Sequence, residues 1–182
     1  MRHRVPEWYR NAKLGIMVHW GVPAIPAYAP VEHGGIAEIL RDHEWEFYFR
    51  NNPYAEWYLN SLRIEESPAR AYHRKHFGAQ TPYERLAKRF NEEVVKWDPK
   101  LWADLFREAG ARYVVFVTKH HDGYLMWPSD HRPPSDSFVA PRDVVGELGE
   151  AVRAEGLKYG LYYSGLLRSE EHTSELQSLL II

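Results

Sequence analysis

The apolar run at residues 113–117 (YVVFV) constrains the fold of this chain more than any other feature, because such a run is typical of a strand buried on both faces. Two comparable segments lie on either side of it, LGIMVHWG at residues 14–21 and LKYGLYYS at residues 157–164. Segments with helical spacing separate the three. Apolar strands that alternate with helices favour parallel pairing, so the sequence predicts an α/β fold.

Helix boundaries can be predicted from local signals between these strands. The sequence TPYE at residues 81–84 has the pattern of a capping box with proline at the first helical position, and it predicts the helix YERLAKRF. Asp98 precedes a second predicted helix, which Gly110 ends, and Asp143 precedes a third, which Gly156 ends.

A long irregular segment, residues 22–78, follows the first predicted strand. It contains several prolines and mixed charges. Connections of this length are uncommon unless they are functional or contain short elements of their own. Within the segment, YAEWYLNSL at residues 54–62 has helical spacing.

Composition excludes several functional classes. The 182 residues are enough for one domain, and a formal net charge of -2 gives no basic surface for nucleic acid. The absence of cysteine excludes a thiol nucleophile and is compatible with a reducing compartment. No apolar run approaches the length of a membrane span, and the N-terminus lacks the apolar region of a signal peptide, so the default expectation is a cytoplasmic protein without a membrane partner. The composition indicates no particular oligomeric state.

Polar side chains cluster where the three predicted strands end. The three groups are His19 with Trp20, His120 with His121 and Asp122, and Tyr162 with Tyr163 and Ser164. The carboxyl ends of parallel strands meet at one edge of a sheet, where α/β proteins build their sites. Successive strand residues point to opposite faces, so both adjacent histidines can face one site only if the strand ends before them. The following Asp122-Gly123 indicates that it does.

This pattern of residues can be compared with two kinds of binding site, one for a metal ion and one for a nucleotide phosphate. His19, His120, His121 and Asp122 are suitable metal-ligand types, and a metal-dependent hydrolase that uses the three histidines is one alternative. The chain has no H-x-H at the first strand and no H-x-x-x-H helix pair, which disfavours a metal. It also lacks the glycine-rich motifs that bind nucleotide phosphates.

Several motifs, taken in order, resemble the α-L-fucosidase family of glycoside hydrolases. They are LGIMVHWG, NPYAEWYLNS, YERLAKRF, WDPKLWADLFREAGARYVVFVTKHHDGYLMW, PRDVV and GLYYSG. The resemblance implies a (β/α)8 TIM barrel, of which residues 1–167 would be the N-terminal part with about three strands. It also implies exo-acting hydrolysis of terminal α-L-fucose from glycans or glycosides with retention of configuration, and no cofactor.

The same resemblance assigns roles to six residues. It implies that a fucose pocket is lined by His19, Glu56, Trp57, His120, His121 and Tyr162. The histidines and Tyr162 would hydrogen-bond ring hydroxyls, Trp57 would form an apolar wall and Glu56 would accept a hydrogen bond. The residues alone leave Glu56 and Trp57 as part of a surface helix, and they do not separate Tyr162 from Tyr163.

The two carboxyl groups of a retaining glycosidase have no assigned position in this chain. In the resembled family the nucleophile is an aspartate at the end of a later strand, and the acid/base residue lies further on. The expectation is therefore that the catalytic pair lies outside the chain and that the chain as written is inactive. A non-catalytic fucose-binding domain is the second alternative.

The last fifteen residues have a different character. RSEEHTSELQSLLII, at residues 168–182, resembles a frame translation of a common sequencing-library adapter. The sequence therefore predicts that this segment is a non-native tail that does not belong to the fold.

Overall fold

A computed structural model describes residues 4–130, 135–165 and 178–181, the last of these as backbone only. The described residues form a sheet with helices packed against it, as the alternating pattern predicts. The strands are β1 (Gly15–Val18), β2 (Tyr113–Lys119), β3 (Lys158–Ser164) and β4 (Ser178–Ile181). The α-helices are α1 (Glu7–Ala12), α2 (Ile36–Asp42), α3 (Trp45–Arg50), α4 (Tyr58–Arg63), α5 (Pro68–His76), α6 (Tyr83–Val94), α7 (Pro99–Glu108) and α8 (Val144–Ala154).

The strands β1, β2 and β3 pair in parallel and in chain order, with β2 in the middle. Every residue of β2 after Tyr113 is buried, which confirms a strand covered on both faces. The ladder between β2 and β3 contains a bulge: Val117 pairs with Tyr162, but Lys119 pairs with the next residue, Tyr163. The hydroxyl of Thr118, the extra residue, donates a 3.0 Å hydrogen bond to the Tyr162 carbonyl. An extra residue in one strand bends it and changes the aim of the side chains that follow.

A fourth strand, which the sequence did not predict, lies antiparallel to β3. Leu161 pairs with Ile181 and Ser164 with Ser178. The four residues of β4 fall inside the segment predicted as a non-native tail. Residues 168–177 and 182 of that segment lie outside the described residues, and the origin of the tail stays a prediction.

Two of the three predicted helix starts are confirmed in detail. The Asp98 carboxylate accepts a 2.9 Å hydrogen bond from the Lys100 amide, and that of Asp143 accepts one of the same length from the Gly146 amide. Such caps satisfy amide groups that have no partner within the helix. Gly110 (φ 84°) and Gly156 (φ 75°) follow the ends of α7 and α8 in the left-handed conformation, as predicted.

The predicted capping box at residues 81–84 is wrong. The Thr81 hydroxyl donates a 2.6 Å hydrogen bond to the Phe77 carbonyl, at the end of the preceding helix, and α6 has no side-chain cap. The reason is positional, because Pro82 occupies the N-cap in an extended conformation and leaves Thr81 one residue too early. The helix itself is present and buries residues at helical spacing, namely Tyr83, Leu86, Ala87, Phe90 and Val94.

Short elements fill the long segment between β1 and α6. They are α2 to α5 and two 3-10 helices, Val22–Ala24 and Ala55–Trp57. The predicted helix at residues 54–62 is present as the second of these 3-10 helices followed by α4. None of the described helices combines the length and apolar character needed to cross a bilayer.

The core lies between the sheet and the helices α6, α7 and α8. Trp20, two residues beyond the end of β1, packs against this core: its ring lies 5.1 Å from Phe90, 5.3 Å from Trp97 and 4.8 Å from Trp102. Aromatic rings at these distances attract each other beyond the area that they bury. This packing fixes the carboxyl end of β1 and with it the neighbouring His19.

Candidate active site

A tight turn presents the two adjacent histidines. β2 ends at Lys119, and the Gly123 amide donates a 3.1 Å hydrogen bond to the His120 carbonyl, which closes a turn over residues 120–123. Gly123 has φ 82°, a conformation that favours glycine. Both histidines therefore lie beyond the strand, which confirms the interpretation that the strand ends before them.

Asp122 stabilises this turn through two hydrogen bonds. It is buried, and its carboxylate accepts hydrogen bonds of 2.9 Å from the Tyr83 hydroxyl and 3.1 Å from the Tyr124 amide. Burial raises the pKa of Asp122 above its ordinary value, against the opposing effect of these hydrogen bonds and of Lys119. The role of Asp122 is thus structural: it fixes the turn to the start of α6.

His121 is held between a strand and the 3-10 helix Ala55–Trp57. Its Nδ1 lies 3.0 Å from the Ser164 hydroxyl, and its ring lies 4.8 Å from that of Trp57. Burial, followed by the charge of Lys119, lowers the pKa of His121. A hydrogen bond to one ring nitrogen fixes the ring orientation and leaves the other nitrogen for a ligand.

His120 is the most deeply buried of the site histidines. Burial, reinforced by the neighbouring His121, lowers its pKa to about 3, although the charge of Glu56 opposes the shift. The ring is therefore neutral at ordinary pH. It lies 5.6 Å from the ring of His19 and 6.4 Å from that of Tyr162. Its Nδ1 is buried and has no hydrogen-bond partner among the described residues, an arrangement that a bound polar ligand can satisfy.

Glu56 pairs with His19 across the site. The Nδ1 atom of His19 lies 3.3 Å from Oε1 of Glu56. Burial opposes ionisation of Glu56, but the hydrogen bond from His19, helped by a backbone hydrogen bond, outweighs burial and lowers the pKa of Glu56. This residue belongs to the 3-10 helix and faces the strand ends, so the interpretation of Glu56 as part of a surface helix is wrong.

The two candidate tyrosines of β3 point to opposite sides. The ring of Tyr162 lies 6.1 Å from that of His19, on the side of the histidines. Tyr163 is 39% exposed and contacts Trp127 and the ammonium group of Lys119 instead. The alternation of a strand produces this division, and the geometry favours Tyr162 as the site residue.

The structure thus brings all six predicted site residues to one edge of the sheet. Two further residues that the sequence analysis gave no role belong to their support. The Lys119 ammonium, nearly buried, donates a 2.8 Å hydrogen bond to the Ser164 carbonyl, and burial lowers its pKa. Ser164 in turn contacts His121. The sequence signal that could have indicated this supporting role is Lys119 itself, a charged residue at the end of a mostly apolar strand.

A cavity of about 150 Å³ opens between β1, the 3-10 helices and the turn. Its polar lining comes from His19, Glu56, Lys119, His120 and Asp122. His121, Trp57 and Tyr162 stand beside it. The neutral imidazole of His120 can both donate and accept hydrogen bonds, and the ionised carboxylate of Glu56 accepts them, so the cavity suits a small ligand rich in hydroxyl groups.

Among the described residues, the same side chains include a group that could hold a metal ion. Ligand atoms of His19, Glu56 and His120 all lie within 4.8 Å of one another. Two histidines and a carboxylate are a known donor set for zinc. The metal alternative predicted from the sequence used His19, His120 and His121. In the structure Glu56 takes the third position in this group, and His121 is hydrogen-bonded to Ser164 instead.

Comparisons with known proteins all identify relatives from one family. A family model described as alpha-L-fucosidase matches residues 1–178. The chain is 36% identical over 165 residues to the human tissue alpha-L-fucosidase and 35% identical over 165 residues to an alpha-L-fucosidase of Dictyostelium discoideum. These alignments cover 88% of this chain and 29% and 31% of the relatives.

Solved structures give the same result. The crystal structure of the Thermotoga maritima alpha-fucosidase in complex with fucose is 44% identical and superimposes with a TM-score of 0.75, over 91% of this chain and 36% of that one. An alpha-L-fucosynthase from the same organism, in complex with a difucosyl azide, is 45% identical with a TM-score of 0.79, over 91% of this chain and 37% of that one.

The α/β fold and these matches place the chain in a family of glycoside hydrolases. That family is the alpha-L-fucosidase family, to which the chain belongs. It spans about a third of the length of the curated relatives that it matches.

Proposed function

We propose that this chain carries the glycone-binding half of a site that hydrolyses terminal α-L-fucosides. The observation that carries the proposal is the convergence of His19, Glu56 and His120 on one small cavity, with His121, Trp57 and Tyr162 beside it. The bound sugar would be the terminal α-L-fucose of a glycan or a small glycoside, and no cofactor is required.

Each side chain suits a distinct part of such a sugar. His120 and His121, whose pKa values burial lowers, are neutral and can both donate to and accept from ring hydroxyls. Glu56, ionised and paired with His19, accepts hydrogen bonds only. Trp57 provides a flat apolar surface for the carbon-bound hydrogens of the sugar.

The catalytic carboxyl pair is proposed to lie outside this chain. A retaining glycosidase places its two carboxyl groups about 5–5.5 Å apart across the glycosidic bond. Asp122 serves the turn and Glu56 pairs with His19, so neither matches a nucleophile at the end of a later strand. We further propose that β1 to β3 are the first three strands of a (β/α)8 barrel, in which a parallel strand takes the place of β4 beside β3.

Isothermal titration calorimetry of the 182-residue chain with L-fucose tests the binding proposal. We expect saturable binding of L-fucose and none of D-glucose. His120→Ala should weaken binding on the order of tenfold or more, because it removes a buried polar contact. His76→Ala is the matched control, since this histidine is exposed on α5, and it should leave binding unchanged. Equal binding of both sugars, or no effect of His120→Ala, contradicts the proposal.

Turnover and DNA sequence test the location of the catalytic pair. The chain should release no 4-nitrophenol from 4-nitrophenyl α-L-fucoside, whereas turnover by this chain contradicts the proposal. Amplifying the source DNA past the codon for Gly165 should show a reading frame that continues to another strand ending in an aspartate. A genomic sequence that encodes residues 168–182 followed by a stop codon would instead favour a non-catalytic fucose-binding domain.

A metal-dependent hydrolase is the second candidate function. Ligand atoms of a tetrahedral zinc ion with bonds of about 2.0–2.1 Å lie roughly 3.3–3.4 Å apart, and the His19–Glu56 separation of 3.3 Å fits that spacing. Elemental analysis of the purified chain separates the two functions. One equivalent of bound metal that Glu56→Gln removes favours the metal candidate, whereas fucose binding that is unchanged by a chelator favours the fucosidase.

A further inference from the structure

A row of aromatic rings leads from the site to the surface of the protein. We call the three rings of Trp57, Phe49 and Trp45 the aromatic row. Trp57 lies 4.8 Å from His121, Phe49 lies 6.4 Å from Trp57, and Trp45 lies 5.9 Å from Phe49 with the two planes 30° apart. The row therefore begins at the wall of the fucose pocket and continues without a break onto α3.

The outer end of the row is exposed and yet fixed. Trp45 is 51% exposed, an unusual state for the largest apolar side chain. Its ring meets the fully buried ring of Tyr48 edge-on at 5.7 Å and stacks on Phe49, its neighbour one helical turn away. Contacts on two sides restrict the rotamers of Trp45, so a ligand that covers it need not order a mobile side chain.

The helix α3, which carries Trp45 and Phe49, also carries the charged side chains of Glu46 and Arg50. Arg50, which directly follows Phe49, pairs with Glu46 at 3.1 Å and with Glu66 at 3.3 Å. A flat apolar surface bordered by charged donors and acceptors matches a saccharide, which has apolar faces and a hydroxylated rim.

We propose that the aromatic row binds the saccharide to which the terminal fucose is attached, that is, the leaving group of the fucoside. The proposal rests on the proposed function, because it takes fucose as the occupant of the neighbouring cavity. A fucoside whose terminal sugar lies in the cavity must extend its remaining residues outwards. The row starts at Trp57, which borders the cavity, and so provides stacking surfaces along that route. It follows that the protein prefers oligosaccharide fucosides over fucosides with a small aglycone.

Calorimetry with two ligands tests this preference. The ligands are methyl α-L-fucoside and the trisaccharide α-L-fucosyl-(1→2)-β-D-galactosyl-(1→4)-D-glucose. The unmodified chain should bind the trisaccharide more tightly, by about 2- to 10-fold, the range expected for one or two aromatic stacking contacts. Trp45→Ala should remove most of that difference and leave the affinity for methyl α-L-fucoside unchanged, while Trp45→Phe should retain part of it.

Tyr9→Ala is the matched control. Tyr9 is 42% exposed and packs edge-on against Trp8 at 5.6 Å, but it contacts Tyr113 at the opposite end of β2. It should alter neither affinity.

The outcomes separate the two proposals. Equal affinities for the two ligands in the unmodified chain, or a difference that persists in Trp45→Ala, overturns the role of the row while fucose binding stands. Failure of both ligands to bind overturns the proposed function and the inference together. Association of the chain with itself that Trp45→Ala abolishes, with no change in either affinity, would assign the row to a protein interface and overturn its role in sugar binding.

Discussion

The hydroxyl of Tyr83, the first residue of α6, donates a 2.9 Å hydrogen bond to the buried carboxylate of Asp122, thirty-nine positions away in the turn that carries the histidines. This bond links α6 directly to the turn that carries the site histidines. Because Asp122 also accepts from the Tyr124 amide, one carboxylate fixes both the shape of the turn and its position.

Tyr83→Phe should therefore destabilise the chain by about 1–3 kcal/mol, because it leaves one oxygen of a buried carboxylate without its donor. Urea unfolding followed by far-UV circular dichroism measures the change. Tyr28→Phe is the control, since that half-buried ring stacks on Tyr72 away from the turn, and it should change the free energy of unfolding by less than about 0.5 kcal/mol. Equal stability of the two variants would contradict the role assigned to the Tyr83 hydroxyl.

The lowered pKa of His120 predicts a loss of stability in acid. In the unfolded chain this histidine titrates near 6.5, and in the folded chain near 3. Between these values the unfolded state binds a proton that the folded state excludes, so stability falls as the pH falls below about 6.5. From pH 6.5 to 5 this group alone should cost about 1.6 kcal/mol.

Urea unfolding at several pH values checks this prediction by comparison of the unmodified chain with His120→Gln. The variant cannot take up the proton and should show a shallower decline over that range. His76→Gln, at the exposed end of α5, should leave the decline unchanged. Parallel curves for the unmodified chain and His120→Gln would show that His120 is not the group responsible.

Ser164→Ala should weaken fucose binding as well as the fold. The substitution removes the 3.0 Å contact that holds the His121 ring, so that a sugar must orient the ring on binding. We expect a loss of affinity on the order of 3- to 10-fold and a loss of stability of about 0.5–1.5 kcal/mol. Calorimetry and urea unfolding measure the two quantities. Ser137→Ala, a buried serine outside the site, should affect stability only; an equal effect on affinity there would remove the specific role of Ser164.

Gly149→Ala should destabilise α8, although alanine is the better helix former by about 1 kcal/mol. A Cβ atom at this position would lie 2.9 Å from the ring of Tyr159. The Tyr159 hydroxyl donates a hydrogen bond to the Val145 carbonyl of α8, which holds the ring in place between helix and sheet. Overpacking of this kind costs about 1–3 kcal/mol. Thermal unfolding measures the change, with Glu150→Gly on the exposed face as a test of helix propensity alone. A stabilised Gly149→Ala variant would show that Tyr159 moves aside freely.

The features predicted from sequence are those that neighbouring residues determine. The apolar run of β2 and the caps Asp98 and Asp143 depend on local composition, and all are present as predicted. The end of β2 before His120 is also a local matter, since Asp122 and Gly123 form the turn. The six site residues were named from their resemblance to a family, and spacing alone did not identify Glu56 or distinguish Tyr162.

The features that were missed depend on contacts between distant segments. Ser164 meets His121 forty-three positions away, and only the register between β2 and β3 brings them together. Thr81 has the sequence of a cap, but Pro82 occupies the N-cap of α6, and the Thr81 hydroxyl donates to the Phe77 carbonyl at the end of the preceding helix. A sequence pattern does not show where the preceding helix ends in space or which residue takes the N-cap position.

The bulge at Thr118 makes the number of residues in β2 important for the site. Thr118 is one residue more than regular pairing with β3 needs, and it sets the direction of the side chains from Lys119 onwards. Deletion of Thr118 would restore regular pairing and turn the Lys119 side chain to the opposite face of the sheet. The site therefore depends on the number of residues in β2 as well as on their identity.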